Sequence, residues 1–150
     1  MDDGDDRRLR TAAWLFAGGS LIHVVDHLRR GQGSVTEVLY VLGNVALVLQ
    51  IVTIMLVLTR HRLAPLVAVV VGFQLAIGFT AAHWLPHWSA ISDPVWKIGS
   101  LRWFSYVASI AEIVGALALA ATALTIVRRR GLSSFAATIG SDGAGPLGFR

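Results

Sequence analysis

Four of the five histidines in this chain fall into two pairs of identical spacing. His23 and His27 lie in "SLIHVVDHLRRG" and His83 and His87 in "AAHWLPHW", each pair as H-x-x-x-H. Residues four apart share one helix face, so each pair sets two imidazoles side by side. Asp26 follows His23 by three and joins the first face. Neutral imidazole is a common ligand for zinc, copper(II) and iron, and carboxylates complete such sites. His23, Asp26, His27, His83 and His87 therefore read as a site for a divalent metal: Zn, Cu(II), Mn or Fe. A metal with an open position activates water or polarises a carbonyl. Asp26 is then a candidate catalytic group. The alternative cofactor is haem b, with one histidine of each pair as an axial ligand and Gly18, Gly19 and Gly78 making room for the ring. A third reading needs no ligand. The histidines then bond loop carbonyls and headgroups, Asp26 pairs with Arg29 or Arg30, and Gly72, Gly78, Gly115 and Ala116 serve close helix packing. On that reading the chain is an accessory or scaffold subunit.

Composition removes several competing chemistries. There is no cysteine among the 150 residues, which excludes disulfides, thiolate sites and iron–sulfur clusters. The methionines are Met1 and Met55, too few for a soft copper(I) site. No G-x-S-x-G, P-loop or dinucleotide fingerprint occurs. The net charge of +4 gives no reason to expect nucleic acid, because the arginines stand at the ends of apolar segments, where membrane topology accounts for them.

Those apolar segments must position the histidines. Apolar residues make up 55% of the chain, mean hydropathy is +0.64, and they come in long blocks. A membrane span needs about 20 mostly apolar residues. Residues 9–28, 35–59, 63–85 and 103–127 qualify, which predicts an all-α, four-helix transmembrane bundle over residues 9–130. The start "MDDGDD" lacks the positive n-region of a cleavable signal, so the first span is expected to be retained. Ser34 and Glu37 form an S-x-x-E capping box that opens the second span. Pro65 suits the first turn of the third. Asp93 and Pro94 predict a short interfacial helix between the third and fourth spans. Residues 1–8 and 131–150 are expected to be disordered.

Nine of the thirteen basic residues fall on the side of both termini and four on the other, which places the termini in the cytoplasm. Trp84, Trp88, Trp96 and Trp103 cluster at the opposite boundary, as an interfacial belt does. Spans one and three then run in the same direction and bring both histidine pairs to the outer end. Asp26 and His27 lie near that edge; His23 lies about 20 Å along the helix from Arg10. Glu112 lies roughly 14 Å below Trp103, with Ser109 on its face, while Asn44 and Gln74 sit at similar depth on two other spans. Polar groups in spans face each other rather than lipid, so Glu37, Asn44, Gln74, Ser109 and Glu112 are expected to line a cavity. Glu112 is the second candidate catalytic group. The expected function is metal-assisted chemistry on a lipophilic substrate that reaches the site from the bilayer. The expected setting is a bacterial plasma membrane, with a membrane-protein partner or a second copy as neighbour.

Overall fold

The computed structural model describes residues 2–99 and 101–131. Four long helices carry the fold: α1 (Asp3–Arg30), α2 (Glu37–Leu58), α3 (Ala64–Trp84) and α4 (Arg102–Arg130). Single 3-10 turns occupy Gln32–Ser34 and Val95–Lys97. No strand occurs among the described residues. Three helices, α2, α3 and α4, are long and apolar enough to cross a membrane. The sequence expectation counts α1 with them. It is the right length, but His23, Asp26 and His27 lie in its last third, which makes it the most polar of the four.

Helix α4 holds the assembly together. It packs along α1 on one flank and α3 on the other, while α2 touches α1 and α3 more sparingly. On α1 the buried positions Asp5, Leu9, Ala12, Phe16, Gly19, His23 and Asp26 are spaced alternately four and three apart. On α4 Ser105, Ala108, Glu112, Gly115 and Leu119 do the same. Two such seams meet along their full length. The fit is close because glycine sits at the crossings. A Cβ on Gly19 would stand 2.5 Å from the Ala111 carbonyl oxygen. One on Gly115 would meet Phe16 Cα at 2.8 Å, and one on Gly72 would meet the Ala116 carbonyl oxygen at 2.9 Å. Gly18 and Gly78 face open space instead.

The acidic start of the chain is helical rather than disordered. Asp2 caps α1, its carboxylate accepting the Asp5 N–H at 2.7 Å. That bond holds the Asp2 carboxyl below its ordinary value. Asp5 pairs with Arg129 at 3.2 Å and Asp6 with Arg60 at 3.0 Å, so the first turn of α1 ties down the far ends of α4 and α2. Arg60 is itself held in a left-handed conformation, φ 57°.

Other boundaries move by a few residues. Thr36 caps α2 by accepting the Leu39 N–H, and Ser34 instead donates to the Gly31 carbonyl. The interfacial helix shrinks to one turn, because Asp93 turns inward rather than capping it. Pro65 falls in the first turn of α3 as expected. Residues 132–150, part of the segment expected to be disordered, lie outside the described residues.

The close crossing makes a sharp test. Gly19→Ala should destabilise the protein by about 1–3 kcal/mol, because backbone rather than a flexible side chain must move. Gly18→Ala next door should be neutral or slightly stabilising. Thermal unfolding of the two variants in one mild detergent compares them directly.

Candidate metal centre

The end of the assembly away from Asp3 and Arg130 gathers three imidazoles. His23 and His27 come from α1, one turn apart, and His83 from the last turn of α3. One ring nitrogen of each lies within 4.8 Å of the others. His23 and His83 are buried and His27 is half-buried. The Nε2 atoms of His23 and His27 are 2.9 Å apart. The rings touch edge to face, with centroids 4.6 Å apart for His23–His27 and 4.9 Å for His23–His83. Phe79 closes the apolar side. Three such nitrogens from two helices could hold one metal ion.

The surroundings fix how the rings present themselves. His83 Nδ1 donates to the Asp93 carbonyl at 3.0 Å, so its Nε2 keeps a lone pair. Arg30, whose side chain is 5% exposed, lies at the centre of the second layer. It grips the Asp93 carboxylate with two nitrogens, at 3.1 and 2.7 Å, and its Nε approaches Asp26 at 3.2 Å. It also reaches His27 Nδ1 at 3.0 Å. A guanidinium only donates, so His27 accepts at Nδ1 and carries its own proton on Nε2. That proton points at His23 Nε2, which places the His23 proton on Nδ1. These tautomers are assigned from the bonding network.

His23 Nδ1 faces Glu112, 3.3 Å from its Oε2. Glu112 is 2% exposed in the interior of α4. Gln50 from α2 donates to its other oxygen at 2.8 Å, and Ser20 lies beside it. The arrangement is a carboxylate behind a histidine, a common support for a metal ligand. A metal held at Nε2 of all three rings requires His27 to move its proton to Nδ1. Arg30 would then withdraw from His27 onto the two carboxylates it already touches.

The other expected residues stand elsewhere. Asp26 is 2% exposed but occupied: Arg29 and Ser105 donate to its Oδ1 and Arg30 approaches its Oδ2. Its pairing with both arginines is the one the ligand-free reading expected, and it stands outside the metal cluster. His87 lies beyond the end of α3, exposed, and outside the cluster as well. Of the cavity set, Glu112 and Ser109 are buried, and Ser109 donates to the Tyr106 carbonyl of its own helix. Glu37, Asn44 and Gln74 are exposed, and Asn44 bonds the Tyr40 carbonyl of α2. Gln50 takes the place expected of Asn44. Both lie within a few residues of the Glu112 level; the face decides, because Gln50, Thr53 and Val57 form the buried stripe of α2. Haem b fits poorly. The imidazoles touch one another rather than flanking a slot, and Gly19 is filled by the backbone of α4.

Arg30→Met should cost about 3–5 kcal/mol, since it strips the buried carboxylates of Asp26 and Asp93 of a shared cation. Arg29→Met should cost less, because Arg29 is the more exposed of the two and Arg30 still neutralises Asp26. Chemical or thermal unfolding in detergent ranks the two. No protein-family model, curated protein or solved structure matches this chain, so its geometry alone carries the functional reading.

Proposed function

We propose that this is a four-span integral membrane protein whose three imidazoles, at the end opposite its termini, bind one divalent transition metal. The observation that carries the reading is the convergence of His23, His27 and His83 within 4.8 Å, each from a helix and two of them buried. Three imidazoles, with Asp26 engaged elsewhere, favour zinc or copper(II) over manganese. The excess of arginine at the other end supports an orientation with both termini in the cytoplasm and the site on the outer side of a plasma membrane. Although α1 is the most polar helix, its outward residues Trp14, Leu15, Leu21 and Val25 are apolar, as a lipid-facing surface requires.

Three protein ligands leave a fourth position for water or substrate, the arrangement of hydrolytic and hydrating zinc sites. The substrate class follows from access. No residue of α2 from 37 to 49 is buried, so the site half of that helix stands loosely against its neighbours. A lipophilic molecule would enter there from the bilayer, and Glu112 stands behind His23 to hold the ring. The exposed Asn44 and Gln74 favour a neighbouring span in the membrane, from a second copy or a partner, over lipid alone.

Elemental analysis tests the metal directly, on untagged protein purified without chelator. Near one equivalent of zinc or copper is expected, with no Soret band. His83→Ala should lose the metal, and Glu112→Gln should weaken binding roughly 10- to 100-fold while the fold survives. Protein that neither carries nor takes up stoichiometric metal, or a His83→Ala variant that retains it, overturns the reading in favour of an accessory subunit.

A further inference from the structure

At the end of the molecule away from the histidines, the outer faces of α1 and α4 form an open groove of about 520 Å³. Its floor is apolar: Ala12, Leu15, Ala118 and Ala121. Thr125, at its edge, turns its hydroxyl back onto the Thr122 carbonyl, so it adds little polarity. Arg7 and Arg8 stand at the mouth, both exposed.

The charges around the groove are arranged unevenly. Two of the three acids in the first turn of α1 neutralise other arginines: Asp5 takes Arg129, and Asp6 takes Arg60 and approaches Arg10 at 3.9 Å. Arg7 and Arg8 have no ion-pair partner among the described residues. The chain thus neutralises the cations that brace its helices and leaves two cations over an apolar trough. From Arg7 to Leu15 is eight residues, about 12 Å along the helix. That is less than half of the ~30 Å hydrocarbon core, so the groove runs from the surface into one leaflet.

We propose that this groove is a binding site for one anionic phospholipid, its phosphate on Arg7 and Arg8 and an acyl chain along the alanine floor. The proposal rests on the membrane placement and not on the metal. A phosphate and an apolar chain are together what two unpaired cations above an apolar trough select, since juxtamembrane basic residues attract anionic lipid and the floor takes the chain. A free anion lacks the second half, and a zwitterionic lipid carries its own cation to compete with the arginines.

Detergent-purified protein is titrated with phosphatidylglycerol or phosphatidylcholine and the retained lipid is counted by native mass spectrometry. One phosphatidylglycerol per chain is expected, at least tenfold tighter than phosphatidylcholine. Arg7→Gln with Arg8→Gln should remove that preference. Ala121→Phe, which fills the trough and keeps both arginines, should also remove the retained lipid. Equal retention of the two lipids overturns the site, as does binding that survives Ala121→Phe, because the arginines then act only as surface charge. Competition by glycerol 3-phosphate as strong as by the lipid overturns it too. Metal content measured on the same samples keeps this result separate from the histidine site. A chain that stays folded and monodisperse without detergent would instead defeat the membrane placement itself.

Discussion

Arg30 is the residue on which the site end depends. It is nearly buried at the last turn of α1, yet it answers two carboxylates and an imidazole at once. A buried guanidinium is tolerable only when its charge is balanced and its donors are used. Asp26 and Asp93 supply the balance, one from its own helix and one from the α3–α4 connection 63 residues away. That second bond brings the connection down over the ring of His83, whose Nδ1 then finds the Asp93 carbonyl. Position, tautomer and burial of the cluster thus follow from one cation and its two anions.

A second constraint lies one helix turn deeper. There His23 Nδ1 faces Glu112 Oε2 without a well-aligned hydrogen bond, and Gln50 Oε1 has no hydrogen-bond partner among the described residues. They belong to one neighbourhood: His23 and Glu112 approach at 3.3 Å, and Gln50 bonds the other oxygen of Glu112. Each unmatched buried group costs on the order of 1–3 kcal/mol. The fold carries that cost where α1 and α4 come closest, at Gly19. Imperfectly matched polar groups and tight packing thus meet directly behind the candidate ligand His23, where a rigid support for the ring has most value.

Much of the architecture was legible in the chain. The helix ends fall within a few residues of the apolar blocks, with the exception of the start of α1, because length and hydropathy are local properties. The pairing of His23 with His27 was legible for the same reason, since one helix turn sets it. The third imidazole depended on α1 and α3 running in the same direction, and arginine placement supplied that. What stayed hidden depends on partners far along the chain. Gln50 meets Glu112 across 62 positions and Asp26 meets Ser105 across 79. No spacing rule points to either. Asp93 looked like a helix cap because proline follows it, but a nearly buried Arg30 is a stronger attraction than a helix N-terminus. His87 shared a spacing with His83 but not a helix, because α3 ends at Trp84 and Pro86 follows.

The dependence of α1 on α4 has a consequence for how the protein is made. Of the four helices α1 is the most polar, and its principal packing partner, α4, follows α2 and α3 in the chain. Until α4 has been made, the heptad seam of α1, with His23 and Asp26, lacks the surface that chiefly covers it. A helix in that condition is a poor substrate for release into lipid. The α1–α4 seam closes only once α4 has been made. Helices α1 and α3 carry the three imidazoles, whereas Glu112 behind His23 and Ser105 on Asp26 come from α4, so the support of the cluster is complete only once α4 is in place.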